Sequence, residues 1–196
     1  MGKRVRRVLV TIDSGDIKDL PKAEIIVILR AADEIVGQGG RSLLVKILKG
    51  SRDKKVLEHE LDKCPAYGMF KALSPEEIGH KIDWLIENGF LRIEYDYRLP
   101  FLYFADRGWE IERETYSCEM YEKFSRAAAD GDVSTIEELR DRTNRQVKER
   151  VIALIKERGT PEMLPLIDIW QSTEVKKLRA ALNSAAKEIR SRTEKQ

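Results

Sequence analysis

The sequence predicts a mainly α (α+β) fold with one β-hairpin, and three observations carry that prediction. Apolar residues recur at three- and four-residue steps through most of the 196 residues. One stretch, 90–95, alternates apolar and polar residues instead, and a second strand-like run follows at 101–104. After about residue 116 the spacing is helical to the end. Helix, turn, helix and hairpin in that order make a winged helix-turn-helix with a short β-hairpin wing, followed by an all-helical C-terminal region.

The elements follow in chain order. Val5–Ile12 reads as one strand with a basic start and breaks at Asp13-Ser14-Gly15-Asp16, giving an N-terminal extension over 1–21. Lys3, Arg4, Arg6 and Arg7 make it cationic, as an arm flanking a polyanion or as a solubilising edge. A helix over Lys22–Ile35 is stopped by Gly37 and Gly39-Gly40. The next helix carries Leu43, Leu44, Ile47 and Leu48 and ends at Gly50-Ser51, where a cationic turn begins. Ser74-Pro75-Glu76-Glu77 combines an N-cap serine, a proline at the first helical position and a capping-box glutamate, so a helix starts there and runs to Asn88-Gly89. The wing is Phe90–Tyr95, a break at Arg98-Leu99-Pro100, then Phe101–Phe104, closed by a turn at Asp106-Arg107-Gly108. From 116 to 196, helices of about ten to sixteen residues are expected, separated at Asp130-Gly131, Gly159-Thr160-Pro161 and Gln171-Ser172-Thr173. The pairs 161–171 and 173–191, with Ala180-Ala181 and Ala185-Ala186 permitting close approach, resemble HEAT-like helix pairs.

Charge sets the terms for function. Lys plus Arg number 36 and Asp plus Glu 34, and residues 37–114 hold 13 cations against 14 anions, so any attraction to phosphate must come from local clustering. Between 41 and 55 there is such a cluster: Arg41, Lys46, Lys49, Arg52, Lys54 and Lys55 against the single anion Asp53. Acids concentrate elsewhere, which predicts a dipolar surface. Amides in the turn after Gly50, with the Ser51 hydroxyl, can donate to a phosphate oxygen while the cations release counterions; such contacts fix position without reading bases. Tyr67-Gly68-Met69-Phe70 marks the entry to the recognition segment, with Lys71 projecting from the same turn. Gly68 permits a positive φ or close backbone approach. Met69 and Phe70 are read as packing the junction of two helices, and Tyr67 as either packing or contact.

The motifs GRSLLVKILKGSRDKKV, Tyr67-Gly68-Met69, Leu73-Ser74-x-Glu-Glu and Asn88-Gly89-Phe90-Leu91, in this order, resemble the RQC domain, the winged-helix part of RecQ helicases. The resemblance spans about residues 22–115, with the helical region 116–196 beyond it, and is similar also to small bacterial stand-alone RQC proteins without a motor. It implies that the turn holds duplex backbone through Lys49, Ser51 and Lys55; Arg52 and Lys54 are added from charge alone. It implies further that an aromatic at the wing apex wedges at a duplex end. Here that residue is Tyr97, with Arg98 beside it to hold a phosphate, while Tyr95, Phe101 and Phe104 are read as cross-strand packing. A short wing and Asp96 depart from the family pattern.

Other chemistries find no footing. No GxxxxGK[ST] phosphate loop occurs, so no ATP-driven motor is expected. Only Cys64 and Cys118 are present, too few thiolates for the zinc module of RecQ proteins, and His59 with Cys64 gives two ligands where a structural site needs four; no metal or cofactor is expected. His59 and His80 are the only imidazoles, and no nucleophile sits in a recognisable elbow, so no catalytic residue is assigned. Two cysteines without an apolar leader, and no apolar run near ~20 residues, indicate a cytoplasmic chain off the membrane, associated with the nucleoid when bound to DNA. The expected partner is DNA as duplex, fork or junction, with a protein partner through the C-terminal helices as a second. Two alternatives stand beside this reading: a winged-helix transcription regulator, which would need dimer symmetry, and a protein-interaction scaffold with no DNA affinity.

Overall fold

The computed structural model describes residues 7–194. The chain forms two compact units, divided between Glu112 and Arg113.

In the first unit, helix α1 (Lys22–Asp33) presents Ile25, Ile28, Leu29 and Ala32 to the core. Helix α2 (Arg41–Lys49) does the same with Leu43, Leu44, Ile47 and Leu48. Gly50 ends α2 at φ 76°. Its amide donates to Ile47 O and the Ser51 amide to Lys46 O, so the last carbonyls of the helix are satisfied by a left-handed cap. Helix α3 (Lys54–Glu58) begins on Asp53, whose carboxylate accepts from the Lys55 amide. Helix α4 (Pro75–Glu87) starts with the capping box read from the sequence: Ser74 Oγ accepts from the Glu77 amide, and Glu77 accepts from the Ser74 amide.

The wing is an antiparallel pair, β1 (Leu91–Asp96) and β2 (Leu99–Phe104), with Asp96 opposite Leu99 and Leu91 opposite Phe104. The sequence break expected at 98–100 falls at 97–98. The turn is the two residues Tyr97 and Arg98, and Pro100 lies inside β2 opposite Tyr95, at a position where no ladder amide is required of it. The outer edge of β2 is covered by the loop after α1: Gly37 N donates to Leu102 O and Leu102 N to Gly39 O. A Cβ on Gly40 would stand 2.7 Å from Pro100 O, so this close approach demands glycine.

Two further expectations are corrected. Residues 7–12 form no strand, because the β2 edge is already occupied; the segment instead makes one backbone bond, Val8 N to Arg98 O at 3.1 Å, and Leu9 is 88% exposed. Val5 and Arg6 lie outside the described residues, as do Lys3 and Arg4. The expected turn at 106–108 is the start of helix α5 (Asp106–Asp130), so helix resumes ten residues before the sequence indicates. Gly108 is there for packing. A Cβ on it would lie 2.0 Å from Phe90 O.

The second unit contains the rest of α5 and helices α6 (Ser134–Arg142), α7 (Arg145–Arg158), α8 (Leu164–Thr173) and α9 (Lys176–Thr193). Its core holds Phe124, Val151, Ile155, Ile167, Trp170 and Leu182, all fully buried. At 25 and 18 residues, α5 and α9 exceed the expected lengths. The break expected at Gln171–Thr173 falls at Glu174-Val175, because the hydroxyls of Ser172 and Thr173 bond back to Ile169 O and Trp170 O and let α8 continue. Glu174 is buried against Lys148 (2.8 Å) and Trp170 Nε1 (3.0 Å), which satisfies its charge inside the unit. No described helix is long and apolar enough to cross a membrane.

Candidate nucleic-acid interface

The segment 49–55 joins α2 to α3, and its shape is set by a brace from 67–73. Gly68 N donates to Ile47 O and Phe70 N to Leu48 O, so the 67–70 backbone lies on the end of α2. The two glycines face each other: a Cβ on Gly50 would meet Gly68 Cα at a tight 3.0 Å, and Gly68 is favoured by its φ of 70°. Tyr67 is half-buried and its hydroxyl donates to Ser51 O at 3.2 Å, so it holds the turn from behind.

The six clustered cations divide into two groups. Arg41 makes a bidentate pair with Asp83, which is fully buried, through Nε at 2.5 Å and Nη2 at 2.7 Å. Lys46 pairs with Asp53 at 2.8 Å. Lys49 donates to Lys71 O at 2.7 Å and Leu73 O at 2.6 Å, which fastens the end of α2 to the loop before α4. These three are occupied with the fold. By contrast Arg52 and Lys55 are exposed and form no ion pair among the described residues. Lys54 is 86% exposed at its side chain and, among the described residues, pairs with Glu58 at 3.4 Å. Lys71 is exposed as well.

Asp53, the one anion in the turn, is turned to structural use. The hydrogen bond from Lys46 and then the Lys55 amide hold its carboxyl below the usual aspartate range, so it remains ionised and partnered. The donors assigned to the turn need correction on one point. The Gly50 and Ser51 amides point back to α2 and are spent there. Ser51 Oγ accepts from the Asp53 amide at 3.2 Å, which leaves its hydroxyl proton to donate outward.

At the wing apex Tyr97 is 72% exposed and has φ 52°, one of two non-glycine residues in the left-handed region among those described. Arg98 is exposed next to it, and its carbonyl accepts from Val8 N. The aromatic residues behind the apex do not pair with one another. Tyr95 faces Pro100, Phe101 faces Glu94 and Phe104 faces Leu91. Tyr95 carries the Arg7 guanidinium over its ring at 5.0 Å, and Tyr103 that of Arg92 at 5.8 Å. Two apolar side chains were not singled out for contact and are nevertheless open: Met69 at 58% exposed, contrary to the packing role read for it, and Leu57 at 44%. Phe70 does pack against the core.

The family model of the RQC domain covers residues 18–128, more than half of the chain. The chain belongs to the RQC domain family. Within this RQC chain, residues 18–128 are a RecQ-like DNA-binding domain. The ATP-dependent DNA helicase RecQ of Bacillus subtilis (strain 168) is 30% identical to it over 129 residues, which is 66% of this chain and 20% of that protein. The RQC chain thus spans about a fifth of the length of the curated relative it matches. No solved structure matches it.

Proposed function

We propose that this RQC protein acts without catalysis, holding duplex DNA by its backbone and favouring duplex ends, forks or branched DNA over any base sequence. Arg52, Lys54, Lys55 and Lys71 stand in solvent around a turn whose one carboxylate is already neutralised, and this observation carries the reading. Phosphate oxygens meet cations there without first displacing an internal partner, apart from the weak exposed contact of Lys54 with Glu58. Lys55 and the Ser51 hydroxyl supply the two ends of the turn. Lys49 serves as the strut that sets its height, and Tyr67 as its backing. At the wing apex Tyr97 offers a flat apolar face that a terminal base pair can stack on, with Arg98 beside it for a phosphate. A place in replication, recombination or repair, and association with the nucleoid, follow from a preference for such structures.

The test is a fluorescence-anisotropy titration with blunt duplex, forked duplex and single strand at low and physiological salt. Binding should weaken steeply with salt, with a log–log slope of about −0.9 per phosphate neutralised. Lys54→Glu with Lys55→Glu should abolish it while the melting temperature stays put, since both side chains are exposed. Affinity that survives the double substitution removes the turn as the site. A protein that binds none of the three DNAs belongs to the scaffold class instead.

A further inference from the structure

The second unit uses many of its cations on itself. Lys148 is buried against Glu174 at 2.8 Å, Arg150 holds Glu114 at 2.7 Å, Arg140 holds Asp141 at 2.7 Å, and Arg145 and Lys177 bracket Glu149 at 3.0 and 3.5 Å. Arg192 gives its N–H groups to the carbonyls of Glu157 and Gly159, which ties the end of α9 to the end of α7. Helix α9 nevertheless keeps a surplus. Residues 176–193 hold six cations, Lys176, Lys177, Arg179, Lys187, Arg190 and Arg192, against the single acid Glu188.

Four of the six share one line. At about 100° per residue, Arg179, Arg190, Lys176 and Lys187 fall within about 80° of the helix circumference, with Asn183 among them. The opposite face, Leu178, Leu182, Ala185, Ala186 and Ile189, is buried in the core of the unit. All four cations are exposed. Lys176, Lys187 and Arg190 form no ion pair among the described residues. Arg179 is steadied by the carbonyls of Gln171 at 3.2 Å and Glu174 at 2.9 Å, neutral acceptors that leave its charge uncancelled. Three exposed acids lie on or beside the helix: Glu188, about 100° round from Lys187, Glu194 past the last turn, and Asp168 on α8. None of them pairs with a cation of the line among the described residues. From Lys176 to Arg190 the line runs about 21 Å at about 1.5 Å per residue, a length over which duplex DNA carries about twelve phosphates.

We infer that this face of α9 is a second phosphate-binding surface, carried by the helical unit, which takes nucleic-acid backbone in addition to the basic turn of the first unit. The inference rests on the DNA-binding reading above and extends it to residues beyond the matched domain, which ends at residue 128. Charge complementarity selects the occupant, since a polyanion with closely spaced charges meets a rigid line of cations. An anionic membrane fits less well. A helix that lies on a bilayer exposes large apolar residues beside its lysines, and those of α9, Leu178, Leu182 and Ile189, are spent in the core. No aromatic residue stands on α9, so nothing there stacks on bases and the contact adds affinity without reading sequence.

Four proteins separate the possibilities: the full chain, Lys54→Glu/Lys55→Glu, Lys176→Ala/Lys187→Ala/Arg190→Ala, and Arg142→Ala/Lys156→Ala/Arg158→Ala, which removes the same charge from exposed positions off the line. Salt dependence of binding to blunt duplex is read for each. The α9 variant should lose about two units of log–log salt slope and on the order of tenfold in affinity at physiological salt, at an unchanged melting temperature. The off-line variant should lose less than half as much of either. A slope equal to that of the full chain overturns the surface, and so does an equal loss in the two triple variants, which would mean that net charge alone acts. If the turn variant fails to bind while the α9 variant keeps its slope, the turn reading stands and the α9 surface alone falls. A full chain without salt-sensitive binding overturns both. Vesicles of phosphatidylserine and phosphatidylcholine complete the test: sedimentation of the full chain with them, lost in the α9 variant while its DNA slope is unchanged, would assign the face to a membrane and overturn the proposal.

Discussion

Tyr97 shows how one residue can be paid for by the fold. A tyrosine at φ 52° sits in a region that costs a non-glycine residue about 1 kcal/mol or more, and the hairpin would be relaxed with glycine there. Its ring is exposed, so packing does not offset the strain. Tyr97→Gly should accordingly leave the melting temperature unchanged or slightly raised while reducing preference for forks and duplex ends over plain duplex. Equal losses on both kinds of DNA would show that the ring does not wedge. Lys49 is the opposite case. It looks like a phosphate ligand by position, yet two of its three N–H groups are given to the carbonyls of Lys71 and Leu73. The capping signals around Ser74 were legible because they are local, with both partners within three residues. The engagement of Lys49 was not, because its acceptors lie 22 and 24 residues away.

At the scale of elements, the helices that were read well are those whose ends carry their own signal. Gly50 stops α2, and Ser74 with Pro75 starts α4. Helix α5 starts ten residues before the sequence indicates because Gly108 looks like a turn residue and is in fact a helical glycine with no room for a Cβ under Phe90 O. Gly108→Ala should therefore destabilise the first unit by about 1–3 kcal/mol, although alanine is the better helix former. A thermal melt checks this, and a rise in melting temperature would mean that the contact yields freely. The strand expected over 5–12 had β-branched residues enough in its sequence, Val5, Val8, Val10, Thr11 and Ile12. What it lacked was an open edge, since Gly37 and Gly39 already pair with Leu102.

For the first unit as a whole, the six cations between 41 and 55 illustrate how far composition reaches. Three of them, Arg41, Lys46 and Lys49, hold the fold together, and the outward charge is carried by Arg52, Lys54 and Lys55 with Lys71. Arg41 binds Asp83 across 42 residues, and the same carboxylate takes the Asp13 amide across 70, so one buried anion ties α2, α4 and the N-terminal segment. Arg41→Ala leaves that charge buried without its guanidinium and should cost about 3–5 kcal/mol in a denaturant melt, whereas Arg41→Met with Asp83→Leu should recover most of it. A single variant as stable as the parent would show that water reaches Asp83. The sequence by itself determined the helix, turn, helix and hairpin order of the first unit, the ends of α2 and α4 and the resemblance to the family, because each depends on residues a few positions apart. Only the tertiary structure decided which cations face solvent, where Pro100 sits in the wing and what the N-terminal segment lies against. Those outcomes depend on partners brought together from distant parts of the chain, and spacing along a sequence does not encode who those partners are.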